Sequence, residues 1–577
     1  SGNMERKFGT GVFGALIGIL SGHASAQTAA DTGMADDRAV LTEIVVTARK
    51  TEENLQTVPL SISAFTARDI ESAGLNSITD LAAMTPGFSF REGFGRQFDR
   101  PVIRGMSNIQ GDANASFFID GIYVSGPISG YSLDNLERVE VIRGPQSALF
   151  GRRTFSGAIN YITKKPTDEY AFDIKQTFGN FDLTETSLNA SGPIVAETLR
   201  FQLSGRYYDR GGQYYNSVSG RKDLGGERSK SINGGLFWTP VDWFDATLRL
   251  NYAVDSDEHV AIARLGSPGM PYTAAEIRNC FEPLAGTRRR GYYCGVVPVP
   301  GFAEINTVQF RDAGERPGIQ RNLFRSSLQL NAEFADYTFT STTAWNESST
   351  YAGTDQDFSS ARSFGGVFET ITFNNQTDWS QELRVASPRD KRFRWMAGVS
   401  LYEEKPDDFA WSGSLVAGAP GQPDLPANIS RQRVDSKTTN EALFALLEFD
   451  VTDQVKLTAE GRYAEDEISV GGTSRATKSS ATGFVPGSYS AGCTLTSTAT
   501  PAAPDSATLT CVNDYHDTKT FESFLPRFTA TWLVNDDLTL YAQFAKGNKP
   551  GGFNTAANNA RATPAERANV RALGLDS

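Results

Sequence analysis

Residues Leu136–Pro166 read LERVEVIRGPQSALFGRRTFSGAINYITKKP. Val139 and Val141 interleave with Arg138 and Glu140, so the first half alternates as a strand should. The pattern breaks at Gly144-Pro145, because glycine frees φ and proline has no amide to donate. A small turn runs to Gly151, and a second strand follows from Ala158 to Thr163. Strand, turn and strand, with two arginines close together, are what elementary chemistry gives here.

The rest of the chain narrows the class. It has 577 residues and a net charge of −12, which argues against nucleic acid as a partner. Beyond the first 26 residues no stretch offers the roughly 18 uncharged apolar residues of a membrane helix. The slightly negative mean hydropathy of −0.34 suits a water-soluble fold. It equally suits a transmembrane β-barrel, whose strands alternate lipid-facing and lumen-facing residues. The three histidines, His23, His259 and His516, stand far apart with no metal-ligand spacing, so neither a metal site nor a cofactor is expected. No nucleophile–base pair stands out, and an enzyme is not expected. Four cysteines fall into two local pairs, Cys280 with Cys294 and Cys493 with Cys511. In an oxidising compartment they read as two loop disulfides, with free thiols the alternative.

Met4 opens a secretory leader spanning residues 1–26. Arg6 and Lys7 give it a positive start, Phe8 to Leu20 an apolar middle, and Ala24-Ser25-Ala26 a cleavage site before Gln27. Residues 27–58 read as a flexible N-terminus, since Gln27 to Leu41 has no core to bury. Within it lies Glu43-Ile44-Val45-Val46-Thr47-Ala48, a short β-branched run suited to adding itself to a partner's sheet. Ser61 to Phe65 alternates as a strand. Thr66 then caps a short helix closed by Gly74, and Ser77 to Met84 forms a second one.

From Thr167 onward, runs of about ten residues alternate along their length. Leu199, Phe201, Leu203 and Tyr207 oppose Arg200, Gln202, Ser204 and Arg206; Val455, Leu457 and Tyr463 oppose Lys456, Glu460 and Arg462. Tyr207, Tyr208, Trp238, Trp243, Trp532 and Tyr541 mark strand ends as an interfacial girdle. Pro240 to Trp243 and Asn535 to Asp537 look like tight turns. Ser256–Arg321, Asp407–Thr438 and Gly471–Thr520 look like long loops.

These motifs together resemble the TonB-dependent outer-membrane receptors. The match rests on the Glu-x-Val-x-Ile-Arg-Gly-Pro block carrying Glu140, Arg143, Gly144 and Pro145, on Gly151, and on the Gly-Ala-Ile-Asn block carrying Asn160. Arg104-Gly105 and Asp120-Gly121 add two further motifs of the family's plug. The resemblance implies a transmembrane antiparallel β-barrel, with an N-terminal α+β plug inside its lumen. Residues 59–166 would be the plug and 167–577 a partial barrel with long extracellular loops. About thirteen strand-like runs follow Pro166, whereas family barrels have about twenty-two, so a C-terminally truncated chain is expected. Glu43 to Ala48 would be the TonB box.

The implied function is active import across the bacterial outer membrane. TonB and its inner-membrane complex would energise it from the proton gradient, with ferric siderophores or other iron chelates as substrate. Glycans or other organic ligands are the alternative within the class; an adhesin or passive channel fits the motifs less well. Partners would be TonB, outer-membrane lipid and lipopolysaccharide, and the small-molecule substrate, for a monomer. Because buried charges need partners, an Arg143–Glu382 contact between plug and barrel is also expected.

Overall fold

A computed structural model describes residues 44–107, 113–216, 220–261, 317–355, 368–416, 425–480, 493–497, 507–535, 538–549 and 551–552. Glu43, Cys280 and Cys294 lie outside the described residues. The N-terminal part forms β1 (Val45–Val46), β2 (Glu53–Asn54), β3 (Ser61–Thr66), α1 (Ala67–Ser72), α2 (Ile78–Met84), β4 (Phe88–Gly93), β5 (Phe98–Ile103), β6 (Ala115–Ile119), β7 (Ile122–Tyr123), β8 (Leu136–Arg143) and β9 (Gly157–Thr163).

Leu136–Pro166 supplies the middle of the plug. β8 and β9 are central in a five-stranded sheet of order β3-β8-β9-β6-β7, antiparallel except for the β6–β9 pair. Val139, Val141 and Ile159 are fully buried and pack with Leu81, Ile78 and Ile70 of the two helices. The opposite face of the sheet is covered too: Ile142 and Ala158 pack with Phe150, Met396 and Phe444, the last two from the barrel. Alternation therefore separates two buried faces, and Glu140 is fully buried.

Local signals set the helices. Thr66 accepts from the Asp69 amide while the Asp69 carboxylate takes the Thr66 amide; Ser77 and Asp80 repeat this capping box. At the end of α1, Leu75 donates to the Ile70 carbonyl and Gly74 to that of Glu71, with Gly74 at φ +65°. That closes the helix in a Schellman turn.

The wall follows as β10 (Ala171–Gly179), β11 (Leu183–Val195), β12 (Leu199–Arg210), the small pair β13 (Tyr214–Asn216) and β14 (Arg221–Leu224), β15 (Glu227–Val241), β16 (Phe244–Asp257), β17 (Gly318–Phe334), β18 (Tyr337–Asp355), β19 (Phe368–Ala386), β20 (Phe393–Val416), β21 (Leu425–Asp450), β22 (Val455–Ser480), β23 (Cys493–Ser497), β24 (Ala507–Asn535) and β25 (Leu538–Ala545). Apart from β13 and β14 these make one antiparallel sheet, fourteen strands among the described residues. Among the described residues no helix is long and apolar enough to cross a membrane.

Leu203, Trp238, Leu457, Phe528 and Trp532 lie exposed on the outside, while Gln202, Glu460, Arg462 and Arg527 are buried inside against the plug. The alternation thus sorts lipid face from lumen, as the sequence implies. Tyr208 is an exception in the girdle: it faces inward, with its hydroxyl on Glu227 at 3.3 Å. Two expected loops are largely strand, because β20 runs to Val416, β21 starts at Leu425, β22 runs to Ser480 and β24 starts at Ala507. The reason is visible on β22. Above Tyr463 the outward positions become Glu465 and Glu467 while Ile468 and Val470 are buried, so the hydropathy signature of a membrane strand ends although the strand continues.

Candidate functional site at the plug–barrel seam

The β-branched run Ile44–Ala48 is not a free tail in this structure. Val46 and Ala48 are buried, in a cluster with Leu149, Phe150, Met396 and Phe444. Burying two such side chains outweighs leaving them in water, which is why the expected flexibility of residues 44–58 gives way to a packed hairpin. β1 pairs with β2, and the Leu55 amide donates to the Ile44 carbonyl at 2.9 Å. In an antiparallel ladder bonded pairs alternate, so the main-chain groups of Val45 and Thr47 point away from β2. Thr47 uses that edge: its amide donates to Oε1 of Glu140 at 2.8 Å.

Charges hold the same segment to the wall near the short turns, the periplasmic end of such a barrel. Lys50 Nζ donates to both oxygens of Glu382, at 2.7 and 2.6 Å, and lies 5.4 Å from the centre of the Phe444 ring. Burial pulls the Lys50 ammonium below the ordinary lysine value, against the attraction of Glu382. Arg49 pairs with Glu53 and, at 3.0 Å, with Glu448. Burial would lower Arg49, but its bond to Glu53 and the charges of Glu53 and Glu448 hold it above its usual range.

The remaining sequence motifs meet in the plug. Asp120 (φ +51°) and Gly121 (φ +78°) form the turn between β6 and β7. The Gly121 amide donates to Asn160 Oδ1 at 3.0 Å, and Asp120 accepts from the Thr163 amide at 2.9 Å and from barrel residue Arg249 at 2.9 Å. Arg104-Gly105 is a second positive-φ turn, and the Arg104 guanidinium lies against Gly144 (φ +98°). Gly144 donates to the Ser156 carbonyl, opening the loop that Pro145 continues. Gly151 (φ +83°) sits where a Cβ would come within 2.9 Å of the Arg462 guanidinium carbon of the barrel.

The expected Arg143–Glu382 contact does not form. Arg143 closes β8 and donates to the Pro86 carbonyl at 2.8 Å, inside the plug. Glu382 is taken by Lys50 and Arg384, whose side chains reach it from the box segment and from its own strand. Sequence reasoning also missed Arg152 and Arg153, which reach Asp466 and Glu404, each at 3.3 Å. It missed Arg96 as well, at the tip between β4 and β5. Arg96 pairs with Asp257 and bonds Ser229 at 2.8 Å. Burial would lower Arg96, but Asp255 and Asp257 hold it well above the usual range. For Arg96 and Arg152 the sequence signal was an arginine beside a turn glycine, which does not name a partner. The β23–β24 register sets Cys493 directly opposite Cys511. Such a pair stands about 4.5–5.5 Å apart, within the span of a disulfide.

Comparison with known proteins agrees with this architecture. The family model of the TonB-dependent receptor plug domain matches residues 54–158, and that of the TonB-dependent receptor-like β-barrel matches residues 282–575. The pesticin receptor of Yersinia pestis is 25% identical over 203 residues, 35% of this chain and 30% of the relative. The ferrioxamine B receptor of Salmonella typhimurium is 29% identical over 234 residues, 39% and 31% respectively. The aligned stretches thus span less than a third of these relatives' length. Among solved structures, the ferric yersiniabactin uptake receptor FyuA of Yersinia pestis superposes with a TM-score of 0.63 at 18% identity, covering 86% of this chain and 66% of that one. The siderophore receptor PiuA of Acinetobacter baumannii gives 0.60 at 15% identity, over 88% and 66%. With a plug and a barrel each matched by its own model, the second over half of the sequence, the chain belongs to the TonB-dependent receptors of the bacterial outer membrane.

Proposed function

We propose that the protein imports iron chelates of the siderophore type, energised through TonB acting on Glu43–Ala48. The observation that carries the energetic part is the docking of the box. One edge of β1 is occupied by β2, and the other is occupied at Thr47 by Glu140. TonB can add a strand only where main-chain groups are free, so the segment must leave Glu140 before it couples. The contacts on Glu382 and Glu448 tie that departure to the plug–barrel seam. Support for the substrate class comes from the relatives, whose names specify ferrioxamine B, ferrichrome and pyoverdine.

The test is uptake of iron-labelled ferrioxamine B, ferrichrome and ferripyoverdine by cells carrying the full-length gene, with and without Val45→Pro. Val45 points its amide away from β2, so proline there removes an edge donor and leaves the hairpin ladder intact. Uptake by the wild type that Val45→Pro abolishes is the expected result. Equal uptake in both strains overturns the coupling; no uptake of any chelate overturns the substrate class.

A further inference from the structure

The outer face of the wall carries a groove near the short turns. Register sets its shape: Leu447 on β21 faces Ala459 on β22, which faces Phe528 on β24. One step nearer the turns, Leu457 faces Ala530, which faces Ala542 on β25. The chain neighbours Glu448, Thr458, Glu460 and Thr529 are buried toward the plug, so these side chains point outward. The three alanines floor the groove between the leucines of one bank and Phe528 and Phe544 of the other. Phe393 and Phe449 line its lower end. Such a trench forfeits packing contacts unless something of its own shape fills it.

A cation stands at the foot of the groove. Arg392 ends the turn of residues 387–392, which carries three basic residues and one carboxylate. Its guanidinium lies 5.2 Å from the centre of the Phe449 ring. Nε donates to the Asp450 carbonyl at 2.6 Å and Nη2 to that of Val451, which fixes the group in place. Nη1 stays uncommitted among the described residues. The acids beside it are already paired: Asp390 with Lys391 at 2.8 Å, and Asp450 with Arg394 at 2.6 Å. A held guanidinium with a spare donor suits a phosphate oxygen.

We infer that the groove binds one anionic phospholipid, with an acyl chain along Ala459, Ala530 and Ala542 and the phosphate on Arg392. The short turns mark the periplasmic end of the barrel, so the site lies in the phospholipid leaflet, away from the sugar-bearing lipid of the outer one. Apolar burial attracts a chain whatever its headgroup, and the cation adds a preference for a net negative one. The inference needs only the barrel in its membrane and stands apart from the import reading.

The experiment mixes the full-length receptor, purified in detergent, with equal amounts of phosphatidylglycerol and phosphatidylethanolamine of the same chains. Native mass spectrometry reads the lipid retained. The variants are Ala459→Phe and Ala530→Leu, which fill the trench, and Arg392→Gln. One retained phosphatidylglycerol, preferred at least fivefold over phosphatidylethanolamine, is the expected result for the wild type. Both filled variants should retain at least tenfold less of either lipid, while Arg392→Gln should keep a lipid and lose the preference. Heat-modifiable migration in a denaturing gel reports that each variant has folded; Ala542→Leu replaces a filled variant that has not. Equal retention of both lipids by the wild type, or retention that filling the trench leaves unchanged, overturns the site. A preference that survives Arg392→Gln overturns the phosphate contact. A receptor dimer that the filled variants abolish puts a second copy in the groove and overturns the lipid.

Discussion

The Thr47 amide points at Glu140, a carboxylate buried beneath the plug sheet, and donates to it at 2.8 Å. Glu140 also accepts from Arg138 at 2.9 Å. A residue of the plug's central strand therefore holds the segment on which the proposed coupling depends.

Replacing Glu140 by Gln keeps the shape and removes the charge. Bonds to a charged acceptor contribute about 1.5–3 kcal/mol against about 0.5–1.5 for neutral ones, so undocking should rise roughly tenfold. Limited trypsin digestion of the purified receptor should cut after Lys50 correspondingly faster. An unchanged rate would show that Glu140 does not hold the box.

Lys50 and Glu382 form a buried pair, which suits a double-mutant cycle. Either Lys50→Met or Glu382→Gln strands a charge, at a cost of about 3–5 kcal/mol. The double variant should recover much of that loss in thermal unfolding. Strictly additive losses would mean that Arg384, 3.2 Å from Glu382, already satisfies it.

Gly151→Ala meets two obstacles: a left-handed φ of +83° and the Arg462 guanidinium 2.9 Å from the new methyl group. The expected loss is about 2–4 kcal/mol, the sum of strain and overpacking. Shortening Arg462 to Ala in the same chain should return the overpacking part only. No return in the melting temperature would place the whole cost in the backbone.

Glu92 gives the stability a pH dependence. Burial, with the nearby charge of Glu227, pushes its carboxyl up to about 7 from 4.5. The folded chain then holds a proton that the unfolded chain has released, so stability falls as pH rises from 4.5 through about 7. Crowded by the surrounding plug and wall, Glu92 still keeps part of its surface in solvent, so water screens the effect and the slope is shallow. Glu92→Gln should flatten the decline in melting temperature across that window; the same slope in both proteins would assign it elsewhere.

The parts legible in the sequence are those decided by neighbours. Gly144-Pro145, the Thr66 and Ser77 caps and the Asp120-Gly121 turn act over a few residues and stand where local chemistry puts them. The alternation of Leu199–Tyr208 gives its two faces for the same reason. Lys50 and Glu382 are 332 residues apart, and nothing local distinguishes Lys50 from Arg143 as the cation that Glu382 meets. The long strands were hidden differently. Their upper halves lie beyond the lipid, where outward residues are chosen by water and carry no membrane signature.

That length changes what a visitor meets. β24 has 29 residues, about 95 Å of chain at roughly 3.3 Å each, while the lipid band of such barrels is only about 25 Å tall. Even steeply tilted, the strand rises well clear of the bilayer as a palisade. Its outer surface carries Glu441, Glu465 and Glu522 in direct register across three strands. Three carboxylates side by side make this stretch of the fence acidic, above the band where the outward residues are apolar.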